Sequence, residues 1–157
     1  MQAINGEDRT ITTKLPLAGI QVLELGHTVM GPTCGLILAD LGADVYKVEK
    51  TGKGDDTLWL KGFGSGFFTC FNRNKRSVSI DLKSTRGQEI LHRLVRTADV
   101  LIDNFGPGTV ERLGLGYETC RQLNPRLIYC SLKGFMPGPY EQRPALDEVV
   151  QMMGGLA

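Results

Sequence analysis

The stretch Ile20-Gln21-Val22-Leu23-Glu24-Leu25-Gly26-His27-Thr28-Val29-Met30-Gly31-Pro32 decides the fold class. Its first six residues read as a strand, because apolar positions dominate a short run that stops at a glycine. Pro32 to Leu41 then reads as a helix, with proline placed where a helix start tolerates it. Asp44 to Glu49 returns as a second strand. Strand, helix and strand in so little sequence make a βαβ unit, and such units imply a parallel sheet.

The alternation continues outward. Lys50 to Gly66 is a glycine-punctuated loop, and Val78 to Leu82 reads as a short strand. Thr85 to Thr97 follows as a helix with Ser84 as its N-cap, its apolar face formed by Ile90, Leu91, Leu94 and Val95. Val100 to Ile102 and Leu127 to Leu132 read as strands, separated by short helices at Thr109 to Leu113 and Tyr117 to Leu123. Ala145 to Met153 has helical spacing. The expected architecture is an α/β doubly wound parallel sheet whose ligands lie at the carboxyl ends of its strands. Residues 1–14 are polar and read as a flexible leader, with residues 15–157 as one domain. The closing Gly154-Gly155-Leu156-Ala157 implies a truncated product or fragment, because glycines after a helix normally lead into another element.

Composition narrows the functional classes. The 18 Lys and Arg against 17 Asp and Glu give a net charge of +1, so no whole-chain field draws the protein to nucleic acid or to an anionic membrane. An anion site has to be local. Cys34, Cys70, Cys120 and Cys130 form no C-x-x-C pair, which leaves no sequence basis for a metal site and favours buried reduced thiols. Met1 to Thr13 lacks an apolar signal region, and no run of membrane-spanning length occurs, so cytoplasmic residence is expected.

Four segments carry candidate chemistry. The turn from Gly26 to Pro32 directs backbone N–H groups at a helix start, which suits a phosphate or carboxylate, although a plain βα turn has the same appearance. Glu49 imitates the acid that holds an NAD ribose, but Gly26, Gly31 and Gly35 do not form G-x-G-x-x-G, so an NAD domain is the weakest reading. Asn72-Arg73-Asn74-Lys75-Arg76-Ser77 with Asp81-Leu82-Lys83 places four cations in twelve positions, either around phosphates or as a solvated basic loop. RNA is disfavoured because stacking aromatics of an RNP pattern are missing. Asp103-Asn104-Phe105-Gly106-Pro107-Gly108, followed by Arg112, puts an amide, a ring and open backbone at a strand end, where a purine would fit. Lys133 to Tyr140 is a rigid loop leading to Asp147, which also reads as a simple N-cap.

In this order the segments closely resemble the family III CoA-transferases, which include formyl-CoA transferase and the carnitine CoA-transferases, with α-methylacyl-CoA racemase as a relative. Beyond the segments quoted, the resemblance rests on Pro16 to Ile20, Leu38 to Val45, Ala98 to Val100, Arg112 to Tyr117 and Asn124 to Tyr129. It implies the Rossmann-like, CoA-binding half of a transferase, ending before the second domain. Coenzyme A or acyl-CoA is then a substrate, with no prosthetic group, no metal, no nucleic-acid or membrane partner, and an interlocked homodimer for the full-length protein.

Carried over position by position, the resemblance places CoA contacts on His27, Val29, Met30, Lys50, Ile80, Asp81, Leu82, Lys83, Asn104, Phe105, Gly106 and Arg112. Lys50, Lys83 and Arg112 would meet phosphates while Phe105 and the backbone near Asn104 hold the adenine. In the family an aspartate attacks the donor thioester, and its counterpart would lie beyond Asp147, outside this chain. Asp147 aligns with an active-site glutamate of formyl-CoA transferase and takes a supporting catalytic role. Val29 stands where that enzyme has a glutamine and Pro144 where it has a lysine, which argues against a formyl or oxalyl substrate. Leu146 replaces the acid/base histidine of the racemase branch, and leucine carries no proton. The alternative readings are a non-catalytic CoA or nucleotide-binding module, or a fragment of an acyl-CoA racemase.

Overall fold

A computed structural model describes residues 14–156; most of the expected leader lies outside the described residues. Five strands, β1 (Gln21–Leu25), β2 (Asp44–Glu49), β3 (Arg76–Ser79), β4 (Val100–Asp103) and β5 (Ile128–Ser131), form one sheet in the order β3-β2-β1-β4-β5. Every neighbouring pair is parallel. The strand order reverses direction at β1 and β4, and this opens a crevice at their carboxyl ends.

Alternation along β1 divides the core. Val22 points toward α1 (Met30–Asp40) and packs with Ala39, Ala43, Val45 and Ile102. Leu23 and Leu25 point the other way, into a larger cluster with Leu91 and Val95 of α3 (Thr85–Val95), Leu101, Val110, Leu115 and Cys120. The latter residues come partly from α4 (Thr109–Arg112) and α5 (Tyr117–Leu123), which join β4 to β5. The doubly wound reading holds because strands buried on both faces need helices on both faces.

Local chemistry sets the boundaries. Ser84 caps α3, its hydroxyl accepting from Gly87 N–H at 3.0 Å. β3 starts and stops earlier than expected: Ile80 N–H still bonds Glu49 O at 3.0 Å, but the Asp81 carboxylate then accepts from Lys83 N–H at 3.0 Å and turns the chain. The Asx turn competes successfully with the ladder. α3 closes at Val95 in a tight turn, Thr97 N–H bonding Leu94 O at 3.1 Å. The loop after β2 contains two 3₁₀ turns, Asp56–Trp59 and Gly62–Gly66, and a short helix α2 (Phe67–Phe71) that the sequence reading lacked.

The last helix, α6, spans Asp147–Met153 rather than starting at Ala145, because Leu146 is extended at φ −89° and ψ 155°. Leu146 is therefore the N-cap position and Asp147 lies in the first turn, which corrects the N-cap reading of Asp147. One further expectation changes: Cys70 is exposed rather than buried. His92 is half-buried, its ring Nε2 lying 2.8 Å from Gly114 O.

Candidate functional site

A cleft of about 700 Å³ opens beyond the carboxyl ends of β1 to β4. Its floor is apolar, from Val48, Ile80, Leu82 and Leu113, and its rim carries His27, Phe105, Lys50, Lys53, Asp81, Lys83 and Arg112. Most of the expected contacts are thereby brought together. Val29, Met30, Asn104 and Gly106 do not line it: Met30 is half-exposed, Gly106 is exposed and Val29 is partly buried.

The Asn104 side chain is engaged within the protein. Its Oδ1 accepts from His27 N–H at 2.9 Å and its Nδ2 donates to His27 O at 2.9 Å. One amide thus satisfies both backbone groups of the first turn and ties it to the turn after β4. Thr28, beside it, holds a left-handed backbone at φ 65°, uncommon for a residue with a branched side chain. Gly31 makes the close approach possible: a Cβ there would stand 2.8 Å from Gly26 Cα and 2.9 Å from Asn104 Oδ1. The rings of His27 and Phe105 then face the cleft 5.8 Å apart. Crowding at the cleft mouth pushes the His27 imidazole below its ordinary value; Asp55 and Asp56 pull the other way without reversing it.

The far wall is the loop after β2. Asp55 reaches back to Lys47 at 2.8 Å, and Lys47 also donates to Gly26 O at 2.8 Å and contacts Glu24 at 3.1 Å. Glu24 and Lys47 point to the α1 face of the sheet, where Lys75 stands 2.7 Å from the second Glu24 oxygen, off the line a hydrogen bond needs. Lys75 bonds instead to Pro32 O at 2.7 Å and Asn72 Oδ1 at 3.2 Å. This chain of alternating buried charges fixes the first turn, the wall loop and α1 together.

The basic run is corrected accordingly. Lys75 is buried with Glu24, Arg73 pairs with Asp40 at 2.6 Å and Arg76 with Asp44 at 3.1 Å, so only Lys83 of those four cations reaches the cleft. Acids on the rim are also partly neutralised. Asp55 is held by Lys47 and Asp56 by Lys50. Among the described residues Lys53, Lys83 and Arg112 have no acidic partner, while Arg112 donates to Thr109 Oγ1 at 2.9 Å. Lys53 was missed in the sequence, although its place in Gly52-Lys53-Gly54 after a strand marked it as a cation on open backbone. Asp147 is exposed, accepts from Gln151 Nε2 at 2.7 Å and does not line the cleft. Among the described residues no group of three or more His, Cys, Asp or Glu is placed to hold a metal, and no helix is long and apolar enough to cross a membrane.

The fold is a parallel α/β sheet with a cleft of mixed charge at its switch point, Glu49 and Asp81 lining it beside the cations. Residues 17–157 match the sequence profile of CoA-transferase family III. Formyl-CoA:oxalate CoA-transferase of Rhodopseudomonas palustris is 46% identical over 145 residues, covering 90% of this chain and 34% of that protein. An acyl-CoA transferase of Fusarium pseudograminearum is 43% identical, with 89% and 34% covered. Among solved structures, Rv3272 of Mycobacterium tuberculosis superposes with a TM-score of 0.84 at 41% identity, covering 90% of this chain and 40% of that one. A CAIB/BAIF family protein of Brucella suis gives 0.82 at 44% identity, with the same coverage. The chain belongs to CoA-transferase family III. It spans about a third of the length of the curated relatives it matches.

Proposed function

We propose that this chain forms the coenzyme A-binding part of an enzyme that moves CoA between an acyl-CoA and a carboxylic acid. The observation that carries the reading is the cleft at the β1/β4 switch point, where Lys53, Lys83 and Arg112 lack acidic partners among the described residues and surround an apolar floor. Cations without a partner beside a nonpolar trough suit a ligand with phosphates at one end and adenine and pantetheine surfaces to bury. Phe105 supplies the aromatic face for the purine, and Ile80 to Lys83 offer backbone and a cation along its edge.

The transfer itself takes a carboxylate nucleophile. That carboxylate attacks the thioester carbonyl and releases CoA as a thiolate, leaving a mixed anhydride; the thiolate then attacks the enzyme's acyl carbon and frees the donor acid. The enzyme-bound CoA thioester is resolved by the acceptor carboxylate in the reverse sequence, so one difficult exchange becomes several easier ones. The nucleophile is proposed to lie in the part of the relatives that this chain does not span, with Asp147 in support. A cytoplasmic, interlocked homodimer is proposed for the whole protein; exposed Trp59, Phe63 and Met136, at 67%, 95% and 84%, supply apolar surface for such an interface.

Calorimetric titration of the folded chain with CoA and dephospho-CoA tests the binding reading. CoA is expected to bind more tightly than dephospho-CoA, and its affinity to fall as salt rises, because phosphate–cation attraction at an open rim is screened. A folded sample that binds neither ligand overturns the reading.

A further inference from the structure

We propose that Lys133, together with Asp103, is a positioning residue that sets the orientation of Phe105 in the cleft. The proposal rests on the CoA reading of that cleft. Asp103 ends β4 and is fully buried, with 0% of its surface exposed. β5 runs alongside and extends the pairing, Leu132 N–H bonding Asp103 O at 2.8 Å, so the next residue, Lys133, arrives over the chain just past β4.

There Lys133 Nζ donates to Asp103 Oδ1 at 2.9 Å and to Phe105 O at 2.8 Å, while Phe105 N–H donates to the same Asp103 oxygen at 3.1 Å. Both backbone polar groups of Phe105 are thus held by one ion pair, on the residue before Gly106, where the chain has least stiffness of its own. The other Asp103 oxygen is buried without a hydrogen-bond partner. The pair is buried only on its Asp103 side, the Lys133 side chain being 33% exposed, so its net contribution to stability is small. What this one does, and an apolar pair would not, is grip the N–H and C=O of a residue whose ring lines the cleft. Lys133 itself does not line it. Asn104 fixes the neighbouring residue against His27, so the two rings are set by hydrogen bonds on both sides.

The test is a double-mutant cycle of Lys133→Met and Phe105→Ala, read by calorimetric titration with CoA, with folding checked by circular dichroism. Lys133→Met is expected to weaken CoA about tenfold, as loss of a charged hydrogen bond does, with the salt dependence of binding unchanged. In the Phe105→Ala background the same substitution is expected to have no further effect. An additive loss, or a reduced salt slope, would show that Lys133 acts on the ligand directly and would overturn the proposal, as would unchanged affinity in the single variant. If Lys133→Met does not fold, Lys133→Gln, which keeps a donor but not the charge, is carried through the same cycle with the same criteria. Parent chain that folds and binds no CoA would overturn the CoA reading itself, a result separate from any of these.

Discussion

Lys47→Met is expected to destabilise the fold by about 3–5 kcal/mol, the usual effect of removing one partner from a buried ion pair. Lys47 is 1% exposed and touches Glu24, Asp55 and Gly26 O at once. Without its charge, Glu24 keeps only Lys75, and Asp55 keeps only its bonds to Thr57. Against a total of about 5–15 kcal/mol for a domain, such a loss leaves little margin. Gly35 leaves room for the Glu24 carboxylate against α1: a Cβ there would stand 1.9 Å from Glu24 Oε2.

The acid limb shares this origin. Burial alone would raise the Asp55 carboxyl, but hydrogen bonds from Lys47 and Thr57 outweigh it and hold the group below its ordinary value of 3.8. A folded-state value below the unfolded one stabilises the fold above the unfolded value and is lost as pH falls through the folded one. Urea unfolding at neutral pH measures the Lys47→Met effect, and acid titration of the parent chain should leave the Asp55 contribution intact down to about pH 4. A midpoint for Lys47→Met within error of the parent would show that the network is not what holds the wall loop.

The chain assayed alone is expected to transfer CoA roughly 10⁴- to 10⁶-fold more slowly than a version extended to the length of its relatives, the usual effect of removing a covalent nucleophile. On the proposed mechanism the attacking carboxylate belongs to the part not spanned, and binding does not replace it. Each form is incubated with a panel of acyl-CoA donors and carboxylate acceptors, formyl-CoA and oxalate included, and any enzyme-bound CoA thioester is trapped with hydroxylamine and located by mass spectrometry. An adduct on Asp147 formed during turnover of the short chain would contradict both the missing nucleophile and the supporting role of that residue.

The order of strands and helices was legible because periodicity changes sharply at Gly26, Gly42 and Ser84, where turns and caps interrupt it. The strand-end rule for open parallel sheets pointed to the segment holding Phe105 and to Arg112, while Lys83 was singled out as a ligand contact by the family resemblance; all three line the cleft. The destination of a charge was not legible. Lys75 and Arg73 sit in one basic run, yet Lys75 is buried on Glu24 and Arg73 pairs with Asp40, because partners separated widely in sequence meet only through the sheet register. That the Asn104 side chain clasps the His27 turn was not legible either, because the two residues lie far apart in sequence. Lys133 read as part of a rigid loop, and only the pairing of β5 with β4 brings it to Phe105.

The most direct measurement is a crystal structure of the chain grown with CoA. The expected result is phosphate density between Lys83 and Arg112, adenine against Phe105, and pantetheine running along Ile80 and Leu82 toward His27. CoA bound elsewhere, with the cleft at the carboxyl ends of β1 to β4 left empty, would contradict the reading of this chain as the coenzyme A-binding part of a transferase.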